Sequence, residues 1–385
     1  MWVSRKQEQR LLEGVATRPV VVITGARQTG KTSLVRHLFP DHQYVSLDLP
    51  STAAQAELEP STFLSRHKTP LIIDEMQYAP ALLRYLKIAV DAHRQRNGQF
   101  ILTGSQPFEL MAGVAESLAG RAVIMQLDGL SYDELSHAKL APPVDAYLLR
   151  GSYPELYEKP DLNATSFYQS YVATYLERDL RSQLRVGSLR DFERFLRACA
   201  LRTAQVLNKA IIARDVGISP STAAEWLSAL ERSGIIALLE PWFSNATKSL
   251  VKAPKLHFLD TGLCAFLLGM NTIEDLYESP LKGALWETAI YAELRKQLSL
   301  APTWQLYYWR DRSKEADFLL HKAGRFKIGD AKWSETPANS GKLNKVRAEL
   351  PETTQAFLCC RSPQSYPLSD SIQAISFADT QNVLK

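Results

Sequence analysis

Short apolar runs recur through the first third of the chain, each separated from the next by a stretch with helical spacing. They are Val20–Thr24, Tyr44–Leu47, Leu71–Ile73, Phe100–Thr103 and Ala122–Leu127. Runs rich in Val, Ile and Leu, without polar alternation, are the pattern of strands covered on both faces. Strands separated by helices predict a parallel α/β sheet. Pro142-Pro143 ends this segment, giving a first domain over 1–143. A helical connector rich in tyrosine follows over 144–191 (Tyr147, Tyr153, Tyr157, Tyr168, Tyr171, Tyr175). Segment 192–278 reads as a small helical domain ending in a β-rich stretch. Segment 279–385 reads as a second α/β domain. In it a long helix leads into strands Gln305–Arg310, Glu315–Lys322 and Phe326–Trp333, with another near Gln355–Cys360.

The middle segment carries a helix-turn-helix pattern. One helix stops at Gly217 and the next starts with Ser219 as N-cap and Pro220 in its first turn. Ile211, Ile212 and Val216 match Ala223, Leu227 and Leu230 as a shared core. Ile235–Leu239 and Lys255–Leu259 then supply the hairpin of a winged helix. The second helix offers few base-reading groups, Ser219, Ser221, Thr222, Glu225, Ser228 and Arg232. The stretch before it is cationic (Arg178, Arg181, Arg185, Arg190, Arg194, Arg197, Arg202, Lys209). Phosphate contact and a solvated helix face both fit that pattern.

Composition changes this picture little. The 385 residues carry 45 Lys+Arg against 41 Asp+Glu, a net charge of +4, so any basic surface must be local. The four cysteines show no metal-ligand spacing and read as reduced, buried thiols. The first residues lack the apolar core of a signal peptide. No apolar run approaches the ~20 residues that span a bilayer. A cytoplasmic protein without membrane contact is the expectation.

The first strand runs directly into Gly25-Ala26-Arg27-Gln28-Thr29-Gly30-Lys31-Thr32 and then a helix from Ser33. This is G-x-x-x-x-G-K-[ST] in its strand–loop–helix setting. The glycines let successive N–H groups face phosphates, and the helix N-terminus adds partial positive charge. Lys31 is expected to reach the β- and γ-phosphates of ATP and Thr32 to ligate Mg²⁺. Leu71-Ile72-Ile73-Asp74-Glu75 supplies the partner: Asp74 for Mg²⁺, directly or through water, and Glu75 to polarise the attacking water. The strand Gln99–Thr103 ends in small polar residues, where Ser105, or alternatively Thr103, fits a sensor of the γ-phosphate. Arg121 is a candidate arginine finger or sensor, or a solvent-exposed arginine. A finger acting in a neighbour's site would imply a homo-oligomer.

Two C-terminal strands can be aligned directly. With Ala323-Gly324 at a hairpin tip, Lys322 pairs with Arg325 and Asp317 faces Asp330. Lys332 lies on the same face as Asp330. Opposed carboxylates are unfavourable unless a cation sits between them. With Glu287 from the helix upstream, the set matches metal-dependent phosphodiester cleavage; polar residues on a solvated sheet face are the other reading.

Taken together the chain resembles the prokaryotic AAA+-type ATPases that join a P-loop core to a C-terminal region of poorly defined function. The matching stretches are GARQTGKTSL (25–34), LIIDEMQYAP (71–80), ILTGSQ (101–106), LAGR (118–121), GSYPE (151–155), TYLERDLR (174–181), the 211–234 helix-turn-helix, LKGALWE (281–287), EADFLL (315–320) and GDAKWS (329–334). The resemblance spans nearly the whole chain. It implies an α/β P-loop NTPase core, a winged-helix domain and a small PD-(D/E)XK nuclease-like domain. ATP and Mg²⁺ are the implied cofactors, and a complete ATP site beside two nucleic-acid-type modules makes DNA the expected partner. A nucleotide-dependent switch acting on a protein, with a degenerate nuclease-like domain, is the alternative. The carried-over motif is Glu287, Asp317, Asp330 and Lys332, with Asp-Ala-Lys where Glu-x-Lys is usual.

Overall fold

The computed structural model describes residues 2–105, 114, 117–174, 188–243, 253–311, 314–338 and 341–384. The chain forms two units, Met1–Leu130 with Arg232–Gly234, and Ser131–Glu231 with Ile235–Lys385. Most of TYLERDLR, including Arg178 and Arg181, lies outside the described residues, as do Arg185 and Gln106.

The five apolar runs become five strands: β1 Val20–Thr24, β2 Gln43–Ser46, β3 Leu71–Asp74, β4 Phe100–Gly104 and β5 Ala122–Gln126. They form one parallel sheet in the order β2-β3-β4-β1-β5. Both faces are covered over the central strands β1, β3 and β4, which is why those runs are continuously apolar, while the edge strands β2 and β5 are partly exposed. Val20 and Val22 face a cluster with Leu71, Ile73, Phe100 and Leu102. Val21 and Ile23 face another with Leu11, Leu34, Ile72 and Ile101. The alternation follows from the two-residue side-chain period of a strand. Because Val20 and Leu71 both pair with Phe100 in parallel register, the carboxyl ends of β1, β3 and β4 share one edge. That edge is where open α/β sheets place their ligand sites.

In the second unit, helices Lys209–Val216 and Pro220–Arg232 meet across a left-handed Gly217. A three-stranded antiparallel sheet follows the order β6-β8-β7, from β6 Gln205–Val206, β7 Ile236–Leu239 and β8 Lys255–Phe258. The two-residue β6 has no sequence signature, since both residues are exposed. Pairing with Lys255 and Leu256 alone defines it.

After β8, Asp260 ties three elements together. Its Oδ1 accepts hydrogen bonds from Leu263 N (2.7 Å), capping helix Thr261–Leu267, and from the Tyr168 hydroxyl (2.7 Å). Its Oδ2 accepts from Ser152 N (2.6 Å) and Ser152 Oγ (2.7 Å). The GSYPE stretch therefore serves as a buried docking point for this carboxylate.

The last sheet runs β13-β14-β12-β11-β10-β9. Its strands are β9 Gln305–Arg310, β10 Glu315–Lys322, β11 Arg325–Ala331, β12 Thr353–Cys359, β13 Tyr366–Ser369 and β14 Ile372–Ile375. The β10–β11 register is the one expected, from Lys322 opposite Arg325 to Phe318 opposite Gly329. Ala323 and Gly324 both have positive φ (48° and 82°), as a two-residue turn of mirrored type requires. Strands β13 and β14 escape the sequence pattern because the segment is short and rich in Ser and Pro. They form by adding β14 in parallel to β12.

Candidate functional site

At the carboxyl edge of the first sheet, β1 turns at Gly25 (φ 150°) into a loop in which Gln28 (φ 63°) and Gly30 (φ 91°) are left-handed. A Cβ on Gly25 would stand 2.2 Å from the Leu127 carbonyl oxygen, so no larger residue fits. Arg5 braces the loop from outside, donating to the Thr29 carbonyl at 3.0 Å and to that of Asp128 at 2.7 Å. The loop delivers the helix Lys31–Leu38, whose first residue is buried.

Lys31 Nζ donates to the Gly25 and Ala26 carbonyls at 3.0 and 2.8 Å, and among the described residues no carboxylate forms an ion pair with it. Burial pushes its pKa down to about 8, against the pull of Glu75 and Asp74. A buried ammonium resting on neutral carbonyls is in poor balance. An anion brought to the loop would restore it.

Asp74 closes the other side. Its Oδ2 accepts from Thr32 Oγ1 (2.8 Å) and from the Tyr44 hydroxyl (2.7 Å), and its Oδ1 accepts from Thr103 Oγ1. Thr32 and Asp74 thus meet as a pair of hard oxygen donors, the kind Mg²⁺ takes. The loop and this pair fit a nucleoside triphosphate with Mg²⁺. Glu75 has left-handed backbone (φ 56°), a conformation that costs about 1–3 kcal/mol outside glycine and clusters at functional sites. Its Oε2 accepts from Ser105 Oγ (2.9 Å), Ser105 N (3.3 Å) and Gln77 Nε2. The two sensor alternatives therefore divide the acids, Thr103 on Asp74 and Ser105 on Glu75.

Sequence reasoning missed Tyr44, Gln77 and Arg5. Tyr44 had a usable signal, an aromatic on a strand beside β3 with its register set by Ser46 opposite Asp74. Burial, and then its hydrogen bond to Asp74, hold the Tyr44 phenol well above its usual pKa. For Arg121 the alternatives are a finger or sensor at the phosphates and a solvent-exposed arginine. It precedes β5, at the amino end of the sheet, whereas the P-loop follows the carboxyl end of β1. Strand β1 alone separates them by roughly 16 Å, at about 3.3 Å per residue. In the structure its guanidinium grips Asp91 in a fork (2.7 and 2.9 Å).

A second acidic centre lies in the second unit. Asp317 and Asp330 stand opposite as aligned, each accepting from the other strand's backbone: Asp317 N to Asp330 Oδ1 at 3.2 Å, Ala331 N to Asp317 Oδ2 at 3.0 Å. Glu287 joins them from helix Lys282–Leu298. Lys332 sits at the rim, 3.8 Å from Asp330 Oδ2 and 43% exposed. The cation between the acids is instead Lys255, on β8. Its Nζ lies 2.8 Å from Glu315, 2.9 Å from Glu287 and 3.3 Å from Asp317. Desolvation opposes this ammonium, but Glu287, Asp317 and Glu315 overcome it and hold its pKa well above normal. Burial, then the charge of Asp317, push Glu287 up to about 8 and Asp330 up to about 6. Among the described residues no three acids, histidines or cysteines are arranged to hold a metal ion. With the Lys255 ammonium seated among them, these carboxylates leave no place for a divalent ion.

The fold and the phosphate-loop geometry define an AAA-type P-loop ATPase, and comparison with known proteins agrees. Residues 17–136 match an AAA domain family. Residues 142–274 and 282–379 match two domains of unknown function, DUF8612 and DUF4143. Uncharacterized protein Rv2008c of Mycobacterium tuberculosis and Mb2031c of Mycobacterium bovis are each 30% identical over 375 residues, covering 96% of this chain and 83% of theirs. The chain belongs to the family of these mycobacterial proteins, an AAA-type ATPase domain followed by a C-terminal region of unknown function. Among solved structures, the Walker-type ATPase PABY2304 of Pyrococcus abyssi superposes with TM-score 0.46 at 18% identity, covering 69% of this chain and 96% of that one. The RuvB Holliday junction branch migration motor of Thermotoga maritima gives 0.33 at 15%, covering 61% and 89%. No described helix is long and apolar enough to cross a membrane.

Proposed function

We propose that this chain is a Mg²⁺-dependent ATP hydrolase whose nucleotide state governs binding of DNA by its middle segment. The observation that carries the hydrolase reading is Lys31, a buried ammonium held on carbonyls of its own glycine loop beside the Thr32–Asp74 pair. The loop from Gly25 to Ser33, with Ala26, Arg27, Gln28, Thr29 and Gly30, would take the phosphates. Thr32 and Asp74 would hold Mg²⁺, which supplies charge neutralisation at the β- and γ-oxygens. Glu75 orients the attacking water, and Ser105 and Gln77 set the direction of its carboxylate. Arg121, remote from its own loop along the sheet, is the candidate for a neighbour's site; acting there would release it from Asp91 and would require a homo-oligomer.

The loop makes a pH prediction. Below about pH 8 Lys31 is charged before nucleotide arrives. Above it the free protein has lost that proton and must regain it to face a triphosphate. Apparent ATP affinity is expected to fall by up to about tenfold per pH unit above pH 8, with proton uptake on binding. Calorimetry in buffers of different ionisation enthalpy measures both; an affinity flat from about pH 7 to 9.5 would overturn the role given to Lys31.

The DNA reading is supported by helix Leu189–Ala200. Its apolar face buries Phe192, Phe195, Leu196 and Cys199, which leaves Arg190, Arg194 and Arg197 exposed at spacings of four and three on one stripe. Neighbouring positions at this spacing share a helix face. Reversing all three to Glu is expected to weaken DNA binding at low salt by at least about tenfold and to flatten its salt dependence. Any stimulation of ATP turnover by DNA should vanish with it. Unchanged binding by the triple variant would remove this surface from the proposal.

A nucleotide-dependent switch acting on a protein partner, with its nuclease-like domain not cutting DNA, is the second reading. Lys255 among the C-terminal carboxylates favours it. ATP turnover indifferent to DNA, with a stoichiometric protein partner recovered, distinguishes it from the first.

A further inference from the structure

Lys255 belongs to neither strand of the hairpin that carries the opposed aspartates. It enters from β8, and its side chain is 4% exposed. One buried point therefore collects an oxygen from each of three carboxylates, Glu287, Glu315 and Asp317. The ring of Tyr308 lies 5.5 Å from the same nitrogen, adding the negative face that favours a cation. A convergence of carboxylate oxygens on one point is what a divalent ion needs, at about 2.0–2.1 Å for Mg²⁺. The ammonium already stands there, and two cations at such a spacing repel strongly in a buried site. Asp330, fully buried, keeps an Oδ2 that accepts no hydrogen bond, with the rim ammonium of Lys332 3.8 Å away and the charge of Lys342 also acting on it.

We propose that Lys255 is a built-in cation in the divalent-ion position of the C-terminal acidic centre. The centre is thereby metal-free, and its acids fasten β8 to β10 and to helix Lys282–Leu298. The inference rests on the nuclease-like reading of 279–385 for the identity of that position; ATP hydrolysis and DNA binding do not enter it.

The test uses the full chain without nucleotide and Mn²⁺ alone, with free Mn²⁺ followed by electron paramagnetic resonance. The unaltered protein should show no Mn²⁺ site that depends on Asp317, judged against Asp317→Asn. Lys255→Met, of similar length and uncharged, should gain one Mn²⁺ site per chain, at least tenfold tighter than any binding by the unaltered protein. That site should disappear in Lys255→Met/Asp317→Asn. If Lys255→Met needs metal to fold, recovery of its circular dichroism on adding Mn²⁺ is the same positive result. Asp317-dependent Mn²⁺ binding by the unaltered protein overturns the proposal. So does a Lys255→Met protein that neither binds Mn²⁺ nor responds to it in folding. Because no nuclease or DNA assay is involved, failure of the DNA reading leaves these outcomes untouched.

Discussion

Replacing Lys31 by Ala should lower kcat for ATP hydrolysis by about 10²- to 10³-fold, the loss expected when one preorganised charge donor is removed from a site of phosphate charge. The structure makes this variant informative. Lys31 is buried but among the described residues is bonded only to the carbonyls of Gly25 and Ala26, so its removal breaks no ion pair there. Glycine geometry and the Arg5 brace keep the loop in shape. Turnover should therefore collapse while thermal unfolding shifts little. Steady-state hydrolysis by a purified, folded Lys31→Ala protein within threefold of the original would refute the assignment of the loop as the catalytic site.

The second large effect concerns stability. Asp260→Ala should cost about 3–5 kcal/mol, since hydrogen bonds to a charged acceptor contribute about 1.5–3 kcal/mol each and are not additive. The substitution orphans Ser152 N–H, Ser152 Oγ–H and Leu263 N–H together and leaves the Tyr168 hydroxyl with the Arg150 carbonyl (2.9 Å) in place of the carboxylate. All three partner residues and Asp260 itself are buried, so water cannot readily replace the carboxylate. It also removes the N-cap of helix Thr261–Leu267. Asp260→Asn keeps an acceptor and should recover part of the loss. Urea unfolding followed by tyrosine and tryptophan fluorescence reads both variants. A midpoint for Asp260→Ala equal to that of the unaltered chain would show that GSYPE and Asp260 do not hold the second unit together.

Much of the ATP site was legible because its chemistry is local. A glycine loop between strand and helix is specified by residues adjacent in sequence, and Asp74–Glu75 ends a strand whose buried character is visible in Leu71–Ile73. The hairpin register was legible for the same reason. A two-residue turn at Ala323-Gly324 fixes every pair along β10 and β11 once its type is known. Strand order was not legible, and Arg121 shows the consequence. Its distance from the P-loop depends on β5 lying beside β1 in parallel, a pairing of segments far apart in the chain.

Lys255 marks the limit most clearly. In sequence it is one lysine at the start of a β-rich run that reads as a hairpin strand, and none of the three acids it meets lies within thirty residues of it. Lys332 lay in the expected spacing after Asp330, yet it stands at the rim. Sequence by itself determined the α/β class, the phosphate loop with its acidic partner, and the opposition of Asp317 and Asp330. These follow from backbone periodicity and turn chemistry acting over a few residues. Tertiary structure alone decided that Tyr44 and Thr103 would share Asp74, that Arg121 would pair with Asp91, and that Lys255 would fill the second acidic centre. Those outcomes depend on long-range packing, where a buried charge must find its partner in three dimensions and the chain carries no local record of which one it will be.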